Sequence, residues 1–316
     1  MSSINIEVTV CIITFNQISF IKDCIDSVIK QKTVFPYEIL IGDDLSIDGT
    51  IEVLKEYEKQ YPNQIKLLLN PVNVGGTRNF ANVISCAKGK YIALLEGDDY
   101  WTNENKLQIQ YDFMENHPNL STVFHEVKMI DRNNELIANL PKTDFKKDEY
   151  NLKDLIIYDS FMPTCSILFR NNLFKYFPDE FYSSRNMCDW PLNVLNAEIG
   201  NIGYIDKSMA VYRSSSSDTA WSSQRLKNIL ESAINVNHIF NKYFNYKYTD
   251  LFEKKITNYK LQITLDLFRH SEIKNGFLYY KLHFVDGKSY LNLLLLINFK
   301  FLKSIIIGLI KLILKK

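Results

Sequence analysis

Hydrophobic and polar positions follow two periods in the first hundred residues. Residues 8–13 (VTVCII) form an unbroken, largely β-branched apolar run, the pattern of a strand covered on both faces. Phe20, Ile21, Cys24, Ile25, Val28 and Ile29 then recur at helical spacing across residues 20–30. The same exchange continues with a strand at 38–42, a helix at 50–60 and a strand at 65–69. A helix at 79–87 and a strand at 90–95 complete it. Strands alternating with helices predict βαβ units, a mostly parallel sheet and right-handed crossovers, an α/β fold of Rossmann-like type. Beyond it the pattern predicts a helix at 105–116, strands at 121–130, 164–169 and 202–212, and a polar, loop-like stretch at 131–150. Residues 222–284 read as mostly helical.

Polar clusters fall at the ends of the predicted strands. Thr14-Phe15-Asn16 follows the first, Asp43-Asp44 the second and Glu96-Gly97-Asp98-Asp99 the fourth. In open α/β sheets ligands bind beyond the carboxyl ends of the strands, so the coincidence marks a site. Adjacent carboxylates repel and gain little structurally, which favours a ligand for Asp43 or Asp44. Asp48 reads instead as a cap for the following helix. Asp44, Ser46, Asp48 and Gly49 also match the start of a calcium loop, but Lys55 stands where a bidentate Glu is required. Asp98 and Asp99 form a plausible hard-cation pair, because Mg²⁺ takes one or two carboxylates plus substrate phosphates. Asp189 precedes Pro191 and could cap a helix there. Trp190 beside it offers an apolar face on which a sugar ring could stack.

In order and spacing, Thr14-Phe15-Asn16, Asp43-Asp44-x-Ser46-x-Asp48-Gly49-Thr50, Asn73-x-Gly75-Gly76-x-Arg78-Asn79 and Gly89-Lys90-Tyr91-Ile92 leading to Glu96-x-Asp98-Asp99 resemble family 2 glycosyltransferases of the GT-A fold. The likeness is close over residues 7–110 and looser to 221. It implies an inverting enzyme that moves a sugar from a nucleotide-sugar donor to a hydroxyl of a saccharide or lipid-linked acceptor, as in bacterial surface-polysaccharide synthesis. By match, Thr14, Phe15 and Asn16 border the nucleotide and Asp44 bonds the base with Asp43 beside it. Arg78 steadies the pyrophosphate. Asp98 contacts ribose or metal, and Asp99 ligates Mg²⁺ or Mn²⁺. Asp189 matches the catalytic base. Arg213 could meet phosphate, although Ser215 stands where related sequences often carry His. A non-catalytic nucleotide-sugar-binding protein and a nucleotidyltransferase are the alternatives. The latter is disfavoured because Thr14-Phe15-Asn16-Gln17 lacks the glycine and basic residue a triphosphate loop needs.

Composition narrows this further. The 316 residues are 46% hydrophobic and 23% charged, as in folded globular proteins. A net charge of +1 argues against a nucleic-acid partner. Five widely spaced cysteines show no CxxC, so neither a disulfide framework nor a zinc site is expected. Cys11, Cys86 and Cys165 read as core thiols, in keeping with a reducing, cytoplasmic setting. The five histidines are scattered and suggest no catalytic group. The amino terminus shows no secretion signal.

The carboxyl end stands apart. After Asp286 there is no acidic residue but six lysines, and the remainder carries a net charge of −5. In residues 291–316, Lys300, Lys303, Lys311 and Lys315 share one helical face with Ser304 and Gly308, while Leu, Ile and Phe fill most of the rest. Lysine-free runs are shorter than the ~20 residues needed to span a bilayer. The expectation is a glycosyltransferase domain at 1–221, a helical extension at 222–290 and an amphipathic helix at 291–316. That helix would lie on the inner face of the cell membrane as a peripheral anchor, or dock on the body or in a homo-oligomer.

Overall fold

Strand β1 (Val8–Thr14) lies at the heart of the sheet, flanked in parallel by β2 (Tyr37–Asp43) and β4 (Tyr91–Glu96). Its residues Val8, Val10 and Ile12 have no exposed surface, which is why its sequence is continuously apolar rather than alternating. The structure, a computed structural model, describes residues 5–141, 147–158, 161–171, 177–182, 189–214, 226–269 and 279. It divides into two compact units, Met1–Ser223 and Gln224–Lys316.

The first unit holds one ten-stranded sheet. Besides those three strands it contains β3 (Ile65–Leu69), β5 (Tyr100–Trp101), β6 (Leu120–Ile130), β7 (Leu136–Leu140), β8 (Glu149–Tyr150), β9 (Leu168–Arg170) and β10 (Asn201–Arg213). The order is β3-β2-β1-β4-β9-β6-β10-β5, with β7 on β6 and β8 on β10. From β3 to β4 all pairings are parallel. Beyond β4 the sheet turns mixed, because β9 runs antiparallel to both β4 and β6, while β10 is parallel to β6.

Helices α1 (Ile21–Ile29), α2 (Thr50–Gln60) and α3 (Gly76–Ser85) make the crossovers of the parallel half. On α1, Ile21, Cys24, Ile25 and Val28 are fully buried. Each large aliphatic side chain so placed contributes about 1.5–3 kcal/mol. Helices α4 (Lys106–Asn116), α5 (Leu152–Tyr158), α6 (Asp179–Tyr182) and α7 (Asp189–Ile199) belong to the mixed half. The second unit contains α8 (Leu226–Tyr243) and α9 (Thr249–Arg269), packed on each other with Phe240, Phe252 and Ile256 wholly buried.

Several expectations are revised. Residues 131–150 are not all loop: β7 and β8 add to the sheet edges there. The strand expected from residue 164 begins as a 3₁₀ turn, Thr164–Ser166. Helix α3 starts three residues early, at Gly76. Cys86 is exposed rather than a core thiol, because it caps α3 on its outward turn, whereas Cys11, Cys24 and Cys165 are buried. Residues 291–316 and Ser215 lie outside the described residues. Among the described residues no helix is long and apolar enough to cross a membrane.

Candidate active site

The parallel strands deliver two acidic groups to one edge of the sheet, and the two are built differently. The first follows β2. Asp43 is fully buried and accepts the Ser46 N–H at 2.8 Å and the Ser46 hydroxyl at 2.5 Å. Burial pushes its carboxyl above the usual range, against the lowering effect of those bonds. Asp44, also buried, accepts the backbone N–H of Val74 at 2.8 Å and of Gly75 at 2.9 Å, one on each oxygen. Asn70 adds a third donor at 3.2 Å. Asp48 accepts from the N–H groups of Ile18 and Thr50, both at 3.0 Å, and from the Thr50 hydroxyl at 2.6 Å. Those bonds outweigh its partial burial and hold its pKa low. Asp48 thus serves the start of α2, one residue before the cap position at Gly49.

The loop after β1 is tied to this group. Asn16 adopts a left-handed backbone with φ 53°, which Asn tolerates better than most residues. Its N–H donates to Ser46 Oγ at 2.8 Å, and its side-chain oxygen accepts the Ile47 N–H at 2.9 Å. Phe15 between Thr14 and Asn16 is 37% exposed. Thr14 is buried, and its hydroxyl has no partner among the described residues.

The second group follows β4. A Cβ on Gly97 would stand 2.3 Å from Gln17 Oε1 and 2.9 Å from Thr14 Oγ1, so only glycine lets the two loops approach. Asp99 is 1% exposed, and its Oδ1 accepts the Arg213 N–H at 2.8 Å. Its Oδ2 is buried without a partner among the described residues. Glu96 and Asp98 are only partly buried. Burial, together with the charges of Asp98 and Asp189, pushes Glu96 up to about 8. Burial and the charges of Glu96, Asp99, Asp98 and Asp189 likewise raise the Tyr212 phenol. The fold therefore brings Asp189, the first residue of α7 and ninety residues downstream, to the Glu96–Asp99 turn. A carboxylate in a helix's first turn also suits the helix dipole.

Of three further expected residues, one sits where its expected role does not fit. Trp190 is 1% exposed, and its indole N–H donates to the Leu155 carbonyl at 3.1 Å. It is a core residue in the first turn of α7, and its ring offers no open face for a sugar. The reason is that residues 190–197 of α7 are all buried, which an amphipathic reading of the sequence does not anticipate. Arg78 is exposed on α3, its guanidinium 5.7 Å from the centre of the Tyr182 ring. Arg213 lies between Phe20 and Tyr100, 5.1 and 4.9 Å from their ring centres. It donates to Asn134 at 2.6 Å and pairs with Asp23 at 3.3 Å. It also borders a cleft of about 380 Å³ with Asp23, Asp26, Lys30 and Tyr100.

Glu96 is the residue whose role the sequence leaves unread. It was visible as part of the acidic cluster, but its repulsion by the Asp189 charge arises only in the folded chain. No group of three or more His, Cys, Asp or Glu side chains is arranged to hold a metal ion by itself among the described residues. Glu96 and Asp98 do fit a cation shared with substrate phosphates, because crowded carboxylates at a sheet edge are a hard-oxygen donor set.

The arrangement has known counterparts. A family model for glycosyl transferase family 2 matches residues 9–177. The Mycobacterium tuberculosis protein Rv1520 is 34% identical over 201 residues, 64% of this chain and 57% of that protein, so the chain spans under two thirds of that relative's length. The poly(ribitol-phosphate) beta-glucosyltransferase of Bacillus spizizenii is 35% identical over 106 residues, 32% of this chain and 16% of that one. Among solved structures, S. aureus TarS 1-349 in complex with UDP-GlcNAc superposes with a TM-score of 0.58 at 19% identity, covering 95% of this chain and 82% of that one. The mannosyltransferase PcManGT from Pyrobaculum calidifontis, in complex with GDP-Man and Mn²⁺, gives 0.57 at 12%, covering 96% and 84%. A sheet whose strand ends carry these acidic turns, a fold shared with sugar-nucleotide complexes and a family match over more than half the chain lead to one conclusion: this chain belongs to glycosyl transferase family 2 and has the GT-A fold.

Proposed function

We propose that the chain transfers a sugar, with inversion, from a nucleoside-diphosphate donor to a hydroxyl of a saccharide or lipid-linked saccharide in surface-polysaccharide synthesis. The observation that carries this reading is the placement of Glu96 and Asp98 at and just beyond the end of β4, near enough to Asp189 at the start of α7 for its charge to act on Glu96. The donor lies over the ends of β1, β2 and β4. Phe15 and the Asp44 loop border the base, and Asp98 with Glu96 faces the diphosphate. A divalent cation, Mg²⁺ or Mn²⁺, held by those two carboxylates would neutralise charge on the leaving diphosphate. Asp99, expected as a ligand, serves in this reading from behind, because it is buried against the Arg213 backbone. Asp43 and Asp44 shape the loop through the bonds they accept. Arg78 and Arg213 are second-rank phosphate contacts, both already engaged with aromatic rings.

Asp189 acts as the base. A sugar hydroxyl is a poor nucleophile until its proton is removed as the new bond forms. The Asp189 carboxylate takes that proton, the acceptor oxygen bonds the anomeric carbon from the face opposite the departing phosphate, and the bond to the diphosphate breaks. The acceptor relative named for poly(ribitol-phosphate) supports a cell-envelope polymer as the acceptor class. The basic, apolar segment 291–316 would keep the enzyme on the inner membrane face, where such acceptors are assembled.

Calorimetry with UDP-, GDP-, CDP- and dTDP-sugars, with and without Mn²⁺, tests the reading. Cation-dependent binding of one nucleotide class is expected. No binding of any of the four by the folded chain in the presence of Mn²⁺ would sink it.

A further inference from the structure

Lys106 opens α4 and has no exposed surface. Its Nζ stands 3.9 Å from the centre of the Trp101 ring and has no hydrogen-bond partner among the described residues. Burial pushes its amine down to about 7, which measures how unfavourable the site is to charge. A lysine in the first turn is also the wrong sign for the helix dipole. Neither helix formation nor packing calls for an amine here. What it faces gives the reason.

Trp101 is held on every side. Its backbone N–H donates to Ser27 Oγ at 3.0 Å, its indole N–H donates to the Cys165 carbonyl at 2.9 Å, and its backbone pairs with Ala210 in β10. Lys106 covers its face. Cys165 belongs to the 3₁₀ turn Thr164–Ser166, which Gln110 of α4 grips through the Ser166 carbonyl at 2.8 Å. The Cys165 thiol lies beside the Asp99 carboxylate and feels the charge of Lys106 as well. His125, fully buried, is the other titratable group facing Lys106. A continuous path therefore runs from Lys106 through Trp101 and Cys165 to the turn that carries Asp98 and Asp99.

We propose that Lys106 is a positioning residue for the Glu96–Asp99 turn: its ammonium, seated on the Trp101 ring, fixes the indole that ties this turn to the Cys165 segment. The spacing of Glu96 and Asp98 toward a cation-bound nucleoside diphosphate follows from that tie. The inference rests on the donor-site reading above.

The test is uptake of Mn²⁺, followed by loss of the free-ion paramagnetic signal, with UDP, GDP, CDP and dTDP in parallel. Thermal unfolding without metal or nucleotide is recorded beside it. Lys106→Met should raise the Mn²⁺ concentration for half-saturation by ~10-fold or more, the usual effect of losing an outer-shell support. Lys106→Arg, which keeps a cation over the ring, should stay within about threefold of the native chain. A Lys106→Met chain that melts earlier yet takes up Mn²⁺ at native concentrations would overturn the proposal. If Lys106→Met does not fold, Trp101→Phe decides. It keeps a ring for the ammonium but loses the indole N–H to Cys165, so weakened uptake supports the proposal and native uptake overturns it. A native chain that takes up no Mn²⁺ with any of the four nucleotides would bring down the donor-site reading and this inference with it.

Discussion

The two acidic turns of this chain contain similar acidic residues at the ends of β2 and β4, the strands on either side of β1, yet their electrostatics differ. After β2, Asp43, Asp44 and Asp48 are surrounded by donors, mostly backbone N–H groups of their own or adjacent loops. After β4, Glu96 meets other carboxylates, those of Asp98 and Asp189. In the first turn charge organises the chain. In the second, like charges are held together at the cost of raising the Glu96 pKa, and that is where a cation and a base are useful. An acidic cluster in a sequence is thus not one kind of object, and its neighbours decide whether it builds a loop or does chemistry.

The comparison can be broken most sharply at Asp189. Asp189→Asn should lower the transfer rate by ~10²–10⁴-fold, the range for loss of a general base. Donor binding measured by calorimetry should stay at the native value. A variant with full activity would remove Asp189 from the reaction.

The first turn should respond in stability instead. Asp44→Ala leaves the Val74 and Gly75 N–H groups without their acceptor, at about 1–3 kcal/mol each if they stay buried. Urea unfolding of the variant should show a clearly lower midpoint. Gly42→Ala probes the same region by packing. The new Cβ would stand 2.3 Å from Val83 Cγ2 and 2.6 Å from Asn79 Oδ1, so a loss of ~1–3 kcal/mol is expected in the same unfolding assay.

The smallest effect is a slope. Glu96 titrates near 4.5 ordinarily and at about 8 in the fold, so the folded state holds the extra proton between those values. Its contribution to stability is present below about pH 4.5 and is lost as pH rises through 8. Lys106 acts in the opposite sense, since its depressed pKa makes stability recover from about 7 toward its ordinary 10.5. His125, held down to about 3 by burial, also opposes Glu96 by adding stability up to its ordinary 6.5, so the Glu96 part is read as a difference: between pH 4.5 and 8 the melting temperature of the metal-free native chain should drop relative to that of Glu96→Gln. An unchanged profile in the variant would show that Glu96 is not the group responsible.

Much of the parallel half was legible in the residues. Continuous apolar runs such as 8–13 and helical repeats such as 20–30 state burial directly, because in this half each element meets its neighbours with one uniform face. The mixed half was harder. The two-residue strand β5 is too short to carry a period, and β7 lies in a polar stretch whose exposed Leu136 and Ile137 resemble loop residues. Trp190 looked like a sugar platform because a sequence shows a ring but not what covers it.

The sequence by itself determined the alternation of strand and helix, the acidic strand ends and the family likeness, since each is written in residue type and spacing. Tertiary structure alone decided which carboxylates are satisfied by backbone donors and which confront one another. It also decided that Asp189 reaches Glu96 and that Lys106 is buried on Trp101. Lys106 sits with Leu107, Gln110 and Met114 on the buried face of α4, a hint in the spacing, but a lysine there reads as a solvated end of the helix until a partner is seen. The physical reason is that hydrophobic periodicity is a local property of the chain, whereas desolvation and Coulomb interaction depend on residues that only the folded sheet brings within a few ångströms.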